Sequence, residues 1–367
     1  MSSRARRPDL IIFIAALGLV VIGLVIVFSA SYSTGMQRFQ DPYYYIKRQL
    51  VGAGLALFVF YLVQRIDYRL LRPLALPGIG LSFLLLIVVL LIGSEAGGSR
   101  AWLNVGGIRF QPAEVVKLAV INFIAAYAAY MRERMRKFWA GLFPPLAVVA
   151  LVFGLIMLQP DFGTGVALVG TAVIMLFAAG VNLAHLIGIG LSGLPVLAAL
   201  VYNRPYRWRR ITSFLDPWAD PLDSGWNIIQ SLLAIGSGGL FGLGLGAGRQ
   251  KFAYLPEQHT DFIFSVLGEE LGFVGTMTVI ALFFVIAWRG YRIALLAPDH
   301  YGSMLAVGLT SMLVFQAMLN IGVATGSLPV TGITLPFVSF GSTSLVVSLT
   351  AVGVLLNISR SIGGGTG

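Results

Sequence analysis

Carboxylates are scarce in this sequence, and several stand where a loop meets an apolar run, a placement that bears on chemistry. The segment Leu255-Pro256-Glu257-Gln258-His259-Thr260-Asp261-Phe262 gathers three titratable side chains just before such a run. A carboxylate at that boundary is partly desolvated, which raises its pKa toward the range useful to a general base. The competing reading is that Asp261 caps the next helix while Glu257 and His259 are simply solvated. Gln159-Pro160-Asp161-Phe162-Gly163-Thr164 poses the same choice, and capping is there the simpler reading, because a carboxylate suits a helix N-terminus. Glu114 and Lys117, three residues apart, project from one helical face and are placed to pair. They either lock two helices together or line a substrate path.

Other candidates surround these. Glu269 and Glu270 fall two turns into an apolar run, where their charge has to be paired or hydrated. Pro329, Gly332, Pro336, Ser339, Gly341 and Ser342 punctuate a segment whose irregular backbone could donate hydrogen bonds to an anionic headgroup. Lys47, Arg48, Arg100 and Arg109, with Trp102 among them, add cations of the kind that suit phosphate and pyrophosphate. Arg207-Trp208-Arg209-Arg210 mixes cations with aromatics as interfacial segments do. The three histidines are scattered and cysteine is absent, which excludes a histidine metal site, thiolate chemistry and disulfides. No cofactor is demanded, although the carboxylates leave room for a divalent cation.

The elements that position these residues follow from composition. Of 367 residues, 57% are hydrophobic and 11% charged, against about 25% charged in soluble domains. Runs of about 20 apolar residues recur from Leu10 nearly to the C-terminus, too long for barrel strands, so the expected fold is an all-α polytopic membrane protein. Spans are expected at about 10–30, 46–64, 74–93, 112–131, 140–158, 164–181, 184–203, 262–288, 303–322 and 342–360. The first is too long for a cleaved signal peptide and is read as retained. With the N-terminus inside, 13 Lys and Arg fall in short cytoplasmic segments and five in short outer ones, which orients both termini to the cytoplasm. The excess of 25 Lys and Arg over 15 Asp and Glu thus reports topology, not nucleic-acid binding. A long outer connection, about 203–261, separates spans seven and eight. Within it Trp226–Gly248 is apolar but rich in glycine, which favours a short surface helix or re-entrant segment over an eleventh span. Gly363–Gly367 reads as a flexible tail of a single membrane domain covering 1–367.

Five segments together resemble the SEDS family: Gly98-Ser99-Arg100-Ala101-Trp102-Leu103, Gln111-Pro112-Ala113-Glu114 with Lys117, the Asp161 segment, Pro256-Glu257-Gln258-His259-Thr260-Asp261-Phe262, and Pro329–Ser342. They occur in the family's order over essentially all ten spans, and the His-Thr-Asp-Phe segment with the short tail leans toward the RodA branch. The resemblance implies a peptidoglycan glycosyltransferase that polymerises lipid II outside the bacterial cytoplasmic membrane for cell elongation and rod shape. It also implies a class B penicillin-binding protein as partner. Asp261 matches the residue required for polymerisation, and Trp102, Glu114 and Lys117 match functionally important positions. Around Asp261 the expected substrate contacts are Trp102, Arg48, Arg109, Glu114, Lys117, Asp161, Arg210, Glu257, His259, Ser339 and Ser342. Family members often carry a second glycine where this chain has Ser342, which puts the backbone there in question. Two alternatives stay open from the residues themselves: a flippase for lipid II, with Glu114 and Lys117 lining its path, and a scaffold for a transpeptidase.

Overall fold

The computed structural model describes residues 8–362 apart from 97, 106–107, 203–204 and 249–254. Three of the 13 cations assigned to the cytoplasmic side, Arg4, Arg6 and Arg7, and the tail Gly363–Gly367 lie outside the described residues. Helices α1 (Leu10–Phe39), α2 (Tyr44–Val63), α3 (Ala75–Ile92), α4 (Pro112–Met131), α5 (Phe143–Leu158), α6 (Phe162–Ala178) and α7 (Leu183–Tyr202) follow the first seven expected spans. α10 (Ile263–Leu296), α11 (His300–Ala324) and α12 (Ser342–Ser361) follow the last three. Among the described residues, eight helices are long and apolar enough to cross a membrane, and Phe162–Ala178 and Leu183–Gly193 are shorter apolar helices.

Local chemistry sets the helix ends. Pro112 opens α4, where its missing N–H costs nothing and its fixed φ is already helical. Asp9 and Asp299 cap α1 and α11 through the N–H groups of Ile11 and Gly302. Asp9 also receives the Arg289 guanidinium at 2.7 Å, tying the start of α1 to α10. α1 runs nine residues beyond the expected end at 30, because Ser31–Gly35 are too weakly polar to stop a helix; Gln40, in the left-handed region, closes it. Most positions of α11 and α12 are buried, whereas α2 and α3 expose apolar side chains along much of their length. The core therefore lies around the last two helices, with the lipid-facing rim outside them.

One feature was not foreseen, and a second, the structure of the long connection, was foreseen only as the short helix within Trp226–Gly248. Between α3 and α4 the chain forms a small antiparallel sheet of β1 (Ser94–Ala96), β2 (Ser99–Val105) and β3 (Ile108–Phe110), with Ser94 opposite Trp102 and Leu103 opposite Phe110. The long connection is also structured, as α8 (Pro205–Leu215), a short turn at Pro217–Ala219, and α9 (Trp226–Ser237). At 12 residues α9 is about 18 Å long, too short to cross a bilayer.

The glycines after α9 have a specific use. α10 is broken at Gly272, whose φ of 65° and ψ of −161° interrupt the helical ladder. Gly238–Gly244 fills the break. Leu243 and Gly244 N–H donate to the carbonyls of Glu269 and Glu270 (2.9 and 3.1 Å), and Phe273 and Val274 N–H donate to those of Gly239 and Leu240 (2.9 and 3.1 Å). Backbone meets backbone here, so a β-carbon at Gly238 would collide with the Gly268 carbonyl oxygen. Gly236, inside α9, faces open space. Gly238→Ala is expected to lower the melting temperature of the detergent-solubilised protein by several degrees. Gly236→Ala should leave it unchanged or raise it, since alanine is favoured over glycine in a helix by up to about 1 kcal/mol. Equal effects of the two variants would contradict this account of the break.

Candidate functional site

The two loop aspartates, indistinguishable by position, are used differently. Asp161 caps α6: Oδ1 accepts from the Thr164 N–H at 3.1 Å, and Oδ2 accepts from Gln111 Nε2 at 2.9 Å. Asp261 caps nothing. α10 begins after Phe262 without a side-chain cap, and the Asp261 carboxylate lies 3.6 Å from where a β-carbon would stand on Gly332, a left-handed glycine with φ 76°. Burial pushes the Asp261 carboxyl up to about 7; the Glu257 carboxylate adds to this and the Arg210 guanidinium opposes it. Burial also raises Asp161 above the ordinary carboxylate range, against the Thr164 and Gln111 hydrogen bonds.

The backbone that carries Asp261 is held at three consecutive carbonyls. Phe340 N–H donates to the His259 oxygen (2.8 Å), Ser339 Oγ to the Thr260 oxygen (2.6 Å), and Asn320 Nδ2 to the Asp261 oxygen (2.8 Å). On the other side, the Glu257 carbonyl accepts from the N–H groups of Thr260 and Asp261 (3.1 and 3.0 Å), closing a tight turn in which Glu257 is left-handed with φ 48°. Gln258 anchors the turn to α1 by donating to the Ala30 carbonyl at 2.8 Å. His259 is buried against the rings of Tyr45 and Phe340, which also touch each other, and that burial lowers its pKa.

The Pro329–Ser342 loop is pinned in turn. Ser339 Oγ accepts from the Leu335 N–H at 2.8 Å, so its hydroxyl serves two backbone groups. Gln49 on α2 donates to the Ser339 carbonyl (3.2 Å) and accepts from the Gly341 N–H (3.1 Å). From α11, Gln316 donates to the Thr334 carbonyl (3.1 Å) and Asn320 to that of Ile333 (2.7 Å). Ser342 is the first residue of α12, packed on Gly52 and without positive φ, so a second glycine is not required there.

Glu114 and Lys117 form an enclosed ion pair at 2.8 Å, 5% and 2% exposed, and Lys117 also donates to Gln316 Oε1 at 2.7 Å. Its donors point into protein, not into an open path. Arg210 on α8 donates to the Val330 carbonyl at 3.0 Å, which brings it to the Asp261 side of the loop. Exposed Arg48 stacks on the Tyr44 ring, 4.4 Å to its centroid, and exposed Arg109 lies on β3. Trp102 is half-buried on β2, and Glu257 is exposed and accepts from Thr260 Oγ1 at 3.2 Å. Among the described residues no three His, Cys, Asp or Glu converge as metal ligands would. Glu270, unassigned before, accepts from Ser29 Oγ at 2.6 Å.

Three residues of the site escaped the sequence reading: Gln49, Gln316 and Asn320. All are uncharged amides inside apolar runs. The usable signal was Gln316 and Asn320 at i and i+4, one polar stripe on an otherwise apolar helix.

The family model for cell cycle proteins of the FtsW, RodA and SpoVE type matches residues 9–363. Stage V sporulation protein E of Bacillus subtilis is 49% identical over 98% of this chain and 99% of its own length. A probable peptidoglycan glycosyltransferase FtsW of a Geobacter species is 41% identical over 98% and 99%. Among solved structures, a chain of a peptidoglycan synthase complex that coordinates polymerization and crosslinking aligns with TM-score 0.80 at 33% identity, covering 96% of this chain and 98% of that one. The rod shape determining protein RodA of Thermus thermophilus aligns with TM-score 0.69 at 31% identity, covering 97% of each. Across the whole chain, similarity to SpoVE and FtsW exceeds that to RodA, so the lean toward RodA drawn from one segment and a short tail is not carried by the relatives.

Two outcomes test the electrostatics. Lys117→Met leaves Glu114 buried without its cation and should cost about 3–5 kcal/mol in thermal or denaturant unfolding; adding Glu114→Gln should recover most of it. Asp261→Asn should stabilise the protein at alkaline pH. A carboxyl raised to about 7 in the fold contributes stability below its unfolded value near 4 and loses it as pH rises through 7. The gain in melting temperature should therefore be full at pH 8–9 and vanish near pH 4. A pH-independent difference would contradict the placement of Asp261.

Proposed function

Because the chain belongs to the SEDS family, the cell cycle proteins that include FtsW, RodA and SpoVE, we propose that it is a peptidoglycan glycosyltransferase that polymerises lipid II. It is a multi-pass protein of the bacterial cytoplasmic membrane. The observation that carries the catalytic assignment is the contrast between two aspartates. Asp161 spends its carboxylate on a helix N-terminus, whereas Asp261, rigidly carried and raised to about 7, keeps its carboxylate for a proton.

In this reading Asp261 takes the proton from the 4-hydroxyl of the acceptor sugar as that oxygen attacks the anomeric carbon of the donor. The new glycosidic bond forms as the bond from that carbon to the pyrophosphate oxygen breaks, with inversion, and undecaprenyl pyrophosphate leaves. Negative charge grows on the departing oxygen, where cations stabilise the transition state. Of the cations first considered, Arg210 has the best support, because its field already reaches Asp261. Lys117 is committed to Glu114 and Gln316, while Arg48 and Arg109 sit on the exposed face.

A class B penicillin-binding protein is the partner this reading takes, supported by the likeness to a chain of a synthase complex that joins polymerization to crosslinking. For the cellular setting, the likeness to a rod shape determining protein at 31% identity supports a role in elongation and rod shape, and the 49% identity to a stage V sporulation protein supports a role in sporulation. A deletion strain distinguishes them by loss of rod shape or by a block confined to sporulation.

The purified full-length chain, alone and with a class B partner, is expected to lengthen glycan from lipid II, and Asp261→Asn to make at least a hundredfold less. Polymer at the wild-type level from that variant would sink the assignment. Transbilayer movement of labelled lipid II without polymer would favour a flippase. A base must be ionised to act, so the rate should rise with pH through a limb near 7 that Asp261→Asn removes.

A further inference from the structure

The assignment of Asp261 leaves open what holds it, and the answer leads to α11. Gln316 and Asn320 lie one turn apart on this helix, both buried at 3% and 1% exposure. Each presents its amide to the irregular strand of the Pro329–Ser342 loop, Gln316 at Thr334 and Asn320 at Ile333. Gln316 turns its other end to Lys117, and so belongs to the ion pair. Asn320 turns the other way. Its one Nδ2 group donates to two carbonyls, Ile333 at 2.7 Å and Asp261 at 2.8 Å. Two carbonyl acceptors fix which end of the amide faces them, since an amide oxygen in that place would meet oxygen twice.

Ile333 follows Gly332, the residue against which the Asp261 carboxylate lies. One side chain therefore bonds both the backbone of Asp261 and the strand that floors its carboxylate. Ser339 and Phe340 hold Thr260 and His259 from the far end of the same loop, but they bond residues that precede Asp261. Among these three anchors, Asn320 alone grips Asp261 itself.

We infer that Asn320 is a positioning residue for Asp261: by bridging the Asp261 and Ile333 carbonyls from α11, it holds the carboxylate against Gly332 in the attitude the reaction needs. This rests on the reading of Asp261 as the base. It predicts more than a loss of activity. Without the bridge, the Asp261 segment and the Gly332 floor part, the half-buried carboxylate becomes more fully hydrated, and it ionises more easily. Glu257, Arg210 and Asp161, the charged groups whose fields reach Asp261, are left unchanged, so the direction is set by hydration.

The test compares wild type, Asn320→Leu and Asp261→Asn, each as the full-length chain, in the lipid II polymerisation assay between pH 5 and 9, with melting temperatures measured alongside. Leucine matches asparagine in shape and removes both donors. The expected result for Asn320→Leu is a kcat at least tenfold lower, a KM for lipid II within about threefold of wild type, and an acid limb displaced to lower pH. Should Asn320→Leu fail to fold, Asn320→Ser, which leaves room for water at the two carbonyls, is read by the same criteria. A kcat within twofold of wild type, or a lower kcat with an unmoved limb, overturns the inference while Asp261→Asn stays inactive. Full activity of Asp261→Asn would instead remove the reading of Asp261 as the base.

Discussion

Irregular backbone within a membrane protein has to find its hydrogen-bond partners in the protein, and this constraint organises the structure around Asp261. Three successive carbonyls, from His259 to Asp261, accept from Phe340, Ser339 and Asn320. The Pro329–Ser342 loop that supplies two of those donors is itself held by Gln49, Gln316 and Asn320. The same rule explains the break in α10, where Gly238–Gly244 satisfies the groups that Gly272 frees. An open helix and an irregular loop are tolerated because other segments complete them.

Charge is divided by the same logic. The Glu114–Lys117 pair is closed off from solvent and shares Gln316, so removing one partner strands the other, and the pair acts on the loop through Thr334. Asp161 is engaged by the start of α6 and by Gln111, which offset part of the cost of its burial. At Asp261 the opposing Arg210 guanidinium and Thr260 are outweighed by burial and by Glu257, which leaves a proton affinity near neutrality. A site that must accept a proton is assembled by fixing Asp161 in a helix cap and Glu114 in an ion pair while leaving Asp261 without a helix to cap.

Much of the scaffold was legible in the sequence because burial in lipid imposes long apolar runs, and each of ten such runs became a helix. A cap was legible too: Asp161, read as a helix cap, caps α6. The small sheet holding Trp102 was not, since its strands are three to seven residues long and lack clear alternation. The break in α10 was invisible for a different reason. Gly272 lies among apolar residues that would continue a helix, and only the arrival of Gly238–Gly244 makes the interruption affordable.

The sequence by itself determined an all-α membrane protein, the approximate spans and the few carboxylates among which a base had to be sought, because hydropathy and charge are properties of residue types. It ranked Asp261 level with Asp161 and Glu114, acidic residues at or near the starts of helices, and only the motif resemblance preferred one. The tertiary structure separated them. Whether a carboxylate is consumed by a cap, and which amide 59 residues away grips its backbone, depends on where distant segments meet. Contacts between α11, the loop and the Asp261 turn exist only once the chain has folded, so local sequence carries no record of them.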